Sequence, residues 1–331
     1  MDYQVKYSVI VPIYGVEAYI ERCARSLFNQ EYSDVEYIFI NDCTKDRSID
    51  ILKNVISDYS EVKDRIKIIN NPRNLGIATT RNIGIRSASG DYIIFVDSDD
   101  YLSDHALLAI DHFVTNSKNT LDIVLFNHNI VSKSRVLSCR GLPQDFEKKS
   151  YLKSVLHKKL APSLWGKVYR RNFYIDANVS MIDGADYAED LLIVPRLILL
   201  AKHVGIIPDA LYYYSLRDGS YTSTITEDAI NSEMLTHKVL EAFFTENNTR
   251  MQGMITKADL TIMKLRSKVN FSKMSNDVRL YEKIAQMYPE LTVYASLLNV
   301  FDRFLLFCLE HRLFNCLKIA IATWRTLKKD F

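Results

Sequence analysis

From Ser8 to Val96 the chain alternates short apolar runs with segments whose apolar residues recur at helical spacing, and few folds accommodate that pattern. SVIVPI (8–13), VEYIFI (35–40), IKII (66–69) and YIIFV (92–96) are almost continuously apolar, as strands covered on both faces are. Between them, Tyr19, Ile20, Cys23, Ala24, Leu27 and Phe28 mark one helix. Ile49, Leu52 and Ile56 mark a second, and Gly76 opens a third that runs through Ile85. The alternation predicts an α/β fold with a mainly parallel central sheet and helices on both faces. Further strands are expected at 122–130 and 135–139. Residues 148–223 carry a mixed, aromatic-rich pattern, and from Glu227 onward the chain reads as mostly helical. Open parallel sheets bind ligands beyond the C-terminal ends of their strands, so the polar residues directly after each apolar run are the first candidates for chemistry.

Composition narrows the classes. The 331 residues suffice for more than one subdomain. A net charge of +2 argues against bulk nucleic-acid binding. The five cysteines are scattered with no C-x-x-C pair, which suggests neither a zinc site nor a disulfide framework and fits a reducing cytoplasm. The chain enters its first strand-like run almost at once, so no secretory leader is expected. No apolar run approaches the roughly 18 residues of a membrane span.

Four loops carry the candidate residues. Asp97-Ser98-Asp99-Asp100 follows YIIFV directly. Crowded carboxylates at a strand end need a cation or hydrogen-bond donors to offset their repulsion, and hard oxygen ligands suit Mg²⁺ or Mn²⁺. The competing account is a solvated acidic turn with Ser103 as N-cap of the next helix. Asp42 follows the second run and can accept from a nucleobase N–H, or it can cap a turn. Pro12-Ile13-Tyr14 follows the first, where the tyrosine ring can stack on a base or belong to the core. Asn74-Leu75-Gly76 leads into a helix carrying Arg81, a combination that suits phosphate or is simply a glycine turn followed by a solvated arginine.

Taken together, SVIVPIYG, IFINDCTKDRS, NPRNLGIATTRNIGI and SGDYIIFVDSDDYL, in this order and spacing, resemble glycosyltransferase family 2. The likeness is strong over 5–105. It continues more weakly through SLWGKVYRR (163–171), YAEDLL (187–192) and YYYSLRDGSYTST (212–224). The resemblance implies a GT-A (nucleotide-diphospho-sugar transferase) domain over 1–224, with a nucleotide-sugar-binding half (1–105) and an acceptor-side half (106–224). A helical region follows over 225–331. It implies an inverting, metal-dependent transferase that moves a sugar from a nucleoside-diphosphate sugar, often UDP-linked, to a glycan or lipid-linked glycan. The products would be surface polysaccharides such as capsule or lipopolysaccharide. Pro12, Tyr14 and Asp42 would hold the base, Arg81 would lie near the diphosphate, and Asp97 and Ser98 would complete the nucleotide-sugar contacts. Asp99 would bind Mn²⁺ or Mg²⁺, and Asp190 would be the general base. Trp165, Lys167 and Glu189 would lie on the acceptor side. Gly15, Asn41 and Cys43 depart from the family pattern. They bear on exact donor contacts.

Arg170, Arg171 and Arg217 lie near the expected acceptor end, where they would meet an anionic acceptor or form a solvated face. The last segment, 312–331, has Leu313, Leu317, Ile321, Trp324 and Leu327 on one side and Lys318, Arg325 and Lys329 on another. Such a helix either packs in place or lies on the inner face of the cytoplasmic membrane. Two other classes compete with a transferase. A sugar nucleotidyltransferase would want a glycine-rich basic loop after the first strand, and SVIVPIYGVEAY has one glycine and no lysine. A non-catalytic sugar-nucleotide-binding partner would be signalled by loss of Asp99 or Asp190, and both are present.

Overall fold

The computed structural model describes residues 6–132, 135–139, 141–142, 145–217, 225–247 and 253–329. The chain forms two compact units, one from 1–148 with 162–217 and one from 149–161 with 218–331. The short stretch 149–161, inside the expected acceptor-side half, therefore clusters with the C-terminal helices.

The first unit runs β1 (Tyr7–Ile13), α1 (Ile20–Phe28), β2 (Val35–Asn41), α2 (Ser48–Ser57), β3 (Ile66–Asn70), α3 (Ile77–Ser87), β4 (Tyr92–Phe95), β5 (Tyr101–Leu102), α4 (Ala106–Thr115), β6 (Ile123–Ser132) and β7 (Arg135–Cys139). After α5 (Lys148–Leu156), which mostly belongs to the second unit, it resumes with β8 (Lys167–Arg170), α6 (Arg171–Asp176), α7 (Glu189–Leu200) and β9 (Val204–Leu216). The sheet order is β3-β2-β1-β4-β8-β6-β9-β5, with β7 beside β6. β1 to β4 are all parallel, as helical crossovers require. Beyond β4 the sheet is mixed: β8 runs antiparallel to both β4 and β6, and β9 runs parallel to β6 through a bulge near Asn127.

Local sequence explains this half closely. All seven residues of β1 are buried. α1 buries Ile20, Cys23, Ala24, Leu27 and Phe28, one helical stripe. The single acid inside β2, Glu36, is buried but satisfied. It accepts from Ser8 Oγ at 2.6 Å and from the Ser89 amide at 2.6 Å, and it pairs with Lys67 at 2.6 Å. α3 lies close on the sheet because Gly84 has no side chain: a Cβ there would stand 2.4 Å from Ile10 Cγ2 and 3.0 Å from Ile40 Cδ1. This close approach fixes where Arg81, one turn earlier on α3, can reach.

The second unit holds α8 (Glu227–Glu246), α9 (Lys257–Met274), α10 (Val278–Ala285), a 3-10 helix (Pro289–Leu297), α11 (Val300–Glu310) and α12 (Phe314–Lys329). Thr226 caps α8, and Thr256 with Asp259 forms a capping box on α9. On α12, Leu317 and Ile321 are buried and Trp324 stacks on Phe301, while Leu327, and Leu313 just before the helix, stay exposed. Arg325 donates to the Lys273 carbonyl. The side chain of Lys329 and the segment 218–224 lie outside the described residues.

Replacing Gly84 by alanine should destabilise the protein by about 1–3 kcal/mol through overpacking against Ile10 and Ile40. Urea unfolding of the Gly84→Ala variant measures this, and an unchanged midpoint would contradict the close packing of α3.

Candidate active site

The turn after β4 is not a solvated cap. Asp100 is 1% exposed. It accepts from the Tyr212 hydroxyl at 2.7 Å and from the Ser215 amide at 2.7 Å, which clips the turn to β9. Burial, with Asp99 and Asp97 nearby, pushes its carboxyl up to about 8. Ser103 does not cap the following helix. Ser103 follows β5 directly, α4 begins after His105, and the Ser103 amide donates to the Leu211 carbonyl. Ser98 is buried within the turn. Arg22 of α1 braces it from outside, donating to the Asp99 carbonyl at 3.1 Å and to Ser215 Oγ at 2.7 Å, with its guanidinium over the Tyr101 ring.

The two remaining carboxylates of the turn each meet an arginine. Asp99 pairs with Arg217 at 2.5 Å. Burial and the charge of Asp97 raise its affinity for a proton, and Arg217 acts the other way. Asp97 pairs with Arg81 at 2.7 Å. Arg81 is itself 3% exposed, and its second terminal nitrogen contacts Glu189 at 2.5 Å and Asp190 at 3.1 Å. One guanidinium thus gathers three carboxylates: one from the β4 turn and two from the first turn of α7. The three anions keep it charged against the cost of burial. Arg81, which the family resemblance puts near the diphosphate, is the counterion of this acidic cluster.

Glu189 and Asp190 both face Arg81, although neighbouring positions at a helix start diverge. Ala188, immediately before them, has φ +63 and turns the chain into α7. Burial and the neighbouring Asp190 push Glu189 up to about 8. Burial raises Asp190 as well, while Arg81, Lys167 and the Leu164 amide pull it back. Lys167 is buried, donates to the Ser163 carbonyl, and is pushed down to about 8 by burial, with Asp190 acting against that shift. Trp165 packs flat on Tyr212, with centroids 4.7 Å apart, and on Tyr214 at 5.3 Å.

At the other end of the cleft, Asp42 is buried and its carboxylate is occupied. It accepts from Asn71 Nδ2 at 2.8 Å and from the amides of Leu75 at 2.8 Å and Gly76 at 2.9 Å. It therefore shapes the loop before α3. Pro12 lies within β1, and Tyr14, just beyond the strand, is 51% exposed. Its ring is a free face and not a core aromatic.

Sequence reasoning missed Asp186, which takes the N-terminus of α3: it accepts from the Ala78 amide at 3.0 Å and lies over Gly76, where a Cβ would come within 2.0 Å of it. It also missed Arg22 and Tyr212. Alternation in LYYYS carried the signal for Tyr212, since Tyr212 and Tyr214 share the face that meets Trp165, while Tyr213 stacks on Tyr101. Arg170 pairs with Asp122 at 2.6 Å and is structural.

Residues 8–157 match the family model "Glycosyl transferase family 2". The chain is 28% identical over 286 residues to EpsH of Bacillus subtilis (strain 168), covering 84% of this chain and 80% of EpsH. It is 32% identical over 233 residues to the uncharacterized glycosyltransferase EpsJ of the same organism, covering 69% and 66%. The chain belongs to glycosyltransferase family 2. Its fold is that of Staphylococcus aureus TarS 1-349, solved in complex with UDP-GlcNAc, with a TM-score of 0.66, 21% identity, and coverage of 97% of this chain and 92% of that one. In sequence, this family 2 chain matches 37% of the length of TarS, a poly(ribitol-phosphate) β-N-acetylglucosaminyltransferase. The GT-A architecture puts both arginine–carboxylate clusters next to the C-terminal end of β4, where ligands of such sheets bind.

Arg81→Met should cost about 3 kcal/mol near neutral pH, because it leaves three part-buried carboxylates without a counterion. With Arg81 gone, the folded-state pKa values of Glu189 and Asp190, already raised by burial, rise further above their unfolded values. The deficit then grows as pH rises above the unfolded carboxylate range and shrinks as pH falls toward it. Thermal unfolding from acidic to mildly basic pH measures this, and a deficit independent of pH would contradict the counterion role.

Proposed function

We propose that this family 2 protein is an inverting glycosyltransferase that moves a sugar from a UDP-sugar to a glycan or lipid-linked glycan in bacterial surface polysaccharide synthesis. The observation that carries this reading is the Arg81 cluster, which holds Asp97 of the nucleotide-side turn and Glu189–Asp190 of α7 on one guanidinium. The names of the relatives support the pathway class, since TarS acts on poly(ribitol-phosphate) and was solved with UDP-GlcNAc.

In this reading the acceptor hydroxyl attacks C1 of the donor sugar from the face opposite the nucleoside diphosphate. As the new C–O bond forms, the bond to the diphosphate breaks and the hydroxyl proton passes to Asp190. Asp190 suits the base because Arg81, Lys167 and the Leu164 amide favour its ionised form against burial, whereas burial and the neighbouring Asp190 push Glu189 up. Tyr14 offers its exposed ring to the base, and Asp42 acts one step back by fixing the amides of Leu75 and Gly76. Asp99, with Asp97, fits a divalent cation. Both are hard oxygen donors, and Asp99 already has a cation, Arg217, against it. Among the described residues no three His, Cys, Asp or Glu side chains converge on a metal, so the rest of the shell would come from donor phosphate and water. Bound Mn²⁺ or Mg²⁺ would neutralise charge on the leaving diphosphate. A lipid-linked acceptor puts the work at the inner face of the cytoplasmic membrane; no helix among the described residues is long and apolar enough to cross it.

Nucleoside-diphosphate release from a panel of UDP-sugars, with Mn²⁺ and Mg²⁺, tests the reading; no release from any donor would contradict it. Asp190→Asn should lower transfer by about 10²–10⁴-fold, with UDP affinity nearly intact. Glu189→Gln, which mimics the protonated acid, should stay within about tenfold of wild type. The reverse ranking in transfer assays would make Glu189 the base. Asp99→Ala should abolish the Mn²⁺-dependent part of UDP binding in calorimetry. Unchanged UDP–Mn²⁺ affinity in a folded variant would remove Asp99 from the metal site.

A further inference from the structure

α11, VFDRFLLFCLE, is apolar on both of its faces. Inward, it buries Leu305, Leu306, Cys308 and Leu309. Outward, at i, i+4 and i+7, it exposes Val300 (73%), Phe304 (47%) and Phe307 (53%), with Arg303 on the same face. A helix that is apolar all round is ordinarily covered all round. The 3-10 helix directly before it adds exposed Val293, Tyr294 and Leu297. Large apolar side chains exposed in such density mark a contact surface, whereas isolated ones are ordinary.

The charges around this surface are mainly positive. Glu290, in the first turn of the 3-10 helix, is an exposed acid; from Leu291 to Leu327 the acids are Asp302 and Glu310, and both are neutralised inside the unit, Asp302 by Lys273 at 2.5 Å and Glu310 by Lys268. Arg303, His311 and Arg312 are exposed, and Lys318 is half-exposed. The surface thus combines protruding aromatic and aliphatic groups with unpaired-sign cations, which complements an anionic lipid headgroup layer over an apolar interior.

We infer that the outer face of α11, with the 3-10 helix before it, docks on an anionic membrane surface, inserting Val300, Phe304 and Phe307 between headgroups that Arg303 and Arg312 attract. This differs from the terminal-helix surface expected from sequence, because Leu317 and Ile321 of α12 are consumed by packing and Arg325 is bound to the Lys273 carbonyl. The inference does not depend on the sugar transferred.

Flotation of the full-length chain with vesicles of phosphatidylglycerol and phosphatidylethanolamine, against vesicles of phosphatidylcholine alone, tests it. The wild type should float with the anionic vesicles and far less with the neutral ones. Phe304→Ser with Phe307→Ser should reduce the partition coefficient by about tenfold. Arg303→Glu with Arg312→Glu should reduce it by about thirtyfold or more at low salt. Circular dichroism checks that these surface variants stay folded. Failure of the wild type to float, or flotation indifferent to the phenylalanine pair, would overturn the inference. So would a dimer in sedimentation velocity that Phe304→Ser with Phe307→Ser disperses, since the face would then belong to a second copy.

Discussion

A buried arginine facing three carboxylates is the interaction on which the arrangement of this protein depends. Taking Arg81 and its partners out of water is costly, and the arrangement holds only because each charge has an opposite within hydrogen-bond reach. Its consequence is geometric. Asp97 comes from the end of a parallel strand, and Glu189 and Asp190 come from a helix almost a hundred residues later in the chain. The guanidinium fixes the spacing between them, and α3 can present it there because Gly84 lets the helix settle on β1 and β2. The fold of the first unit and the electrostatics of its cleft are therefore one problem with one solution.

A second clip supports the first. Asp100 ties the same turn to β9 through Tyr212 and Ser215, and Arg22 closes it from α1. These contacts leave Asp97 and Asp99 as the carboxylates of the turn that face arginines, so the four-residue acidic run divides its labour. Its most buried acid builds structure, and the others are available for ligand chemistry. Asp42 divides in a similar way: its position suits a nucleotide pocket, yet its oxygens are taken up by the Leu75 and Gly76 amides.

Much of the first hundred residues was legible because local pattern and final environment coincide there. Continuous apolar runs became buried parallel strands, and the helix stripes of α1 and α2 face the sheet. Polar residues after each run lie at the strand ends. Legibility fell after β4, where short strands such as Lys167–Arg170 pair antiparallel with distant partners and leave no periodic trace in four residues. Partnerships were the least readable layer. Nothing in the sequence says that Arg81 spends its charge on carboxylates, that Asp186 sits over Gly76, or that Arg217 meets Asp99. Each depends on loops brought together by the sheet. The last helix shows the same limit: the stripe was visible, but that Trp324 of it stacks on Phe301 could not be read from the sequence.

The proposed chemistry makes a stereochemical commitment that does not rest on any one mutant. If Asp190 takes a proton from the acceptor while the nucleoside diphosphate leaves from the opposite face, configuration at C1 must invert in a single displacement. Proton NMR of the anomeric centre in the glycoside formed from an α-linked UDP-sugar tests this directly. The account predicts a β-linked product. An α-linked product would contradict it and would require a different role for Asp190 and for the cluster around Arg81.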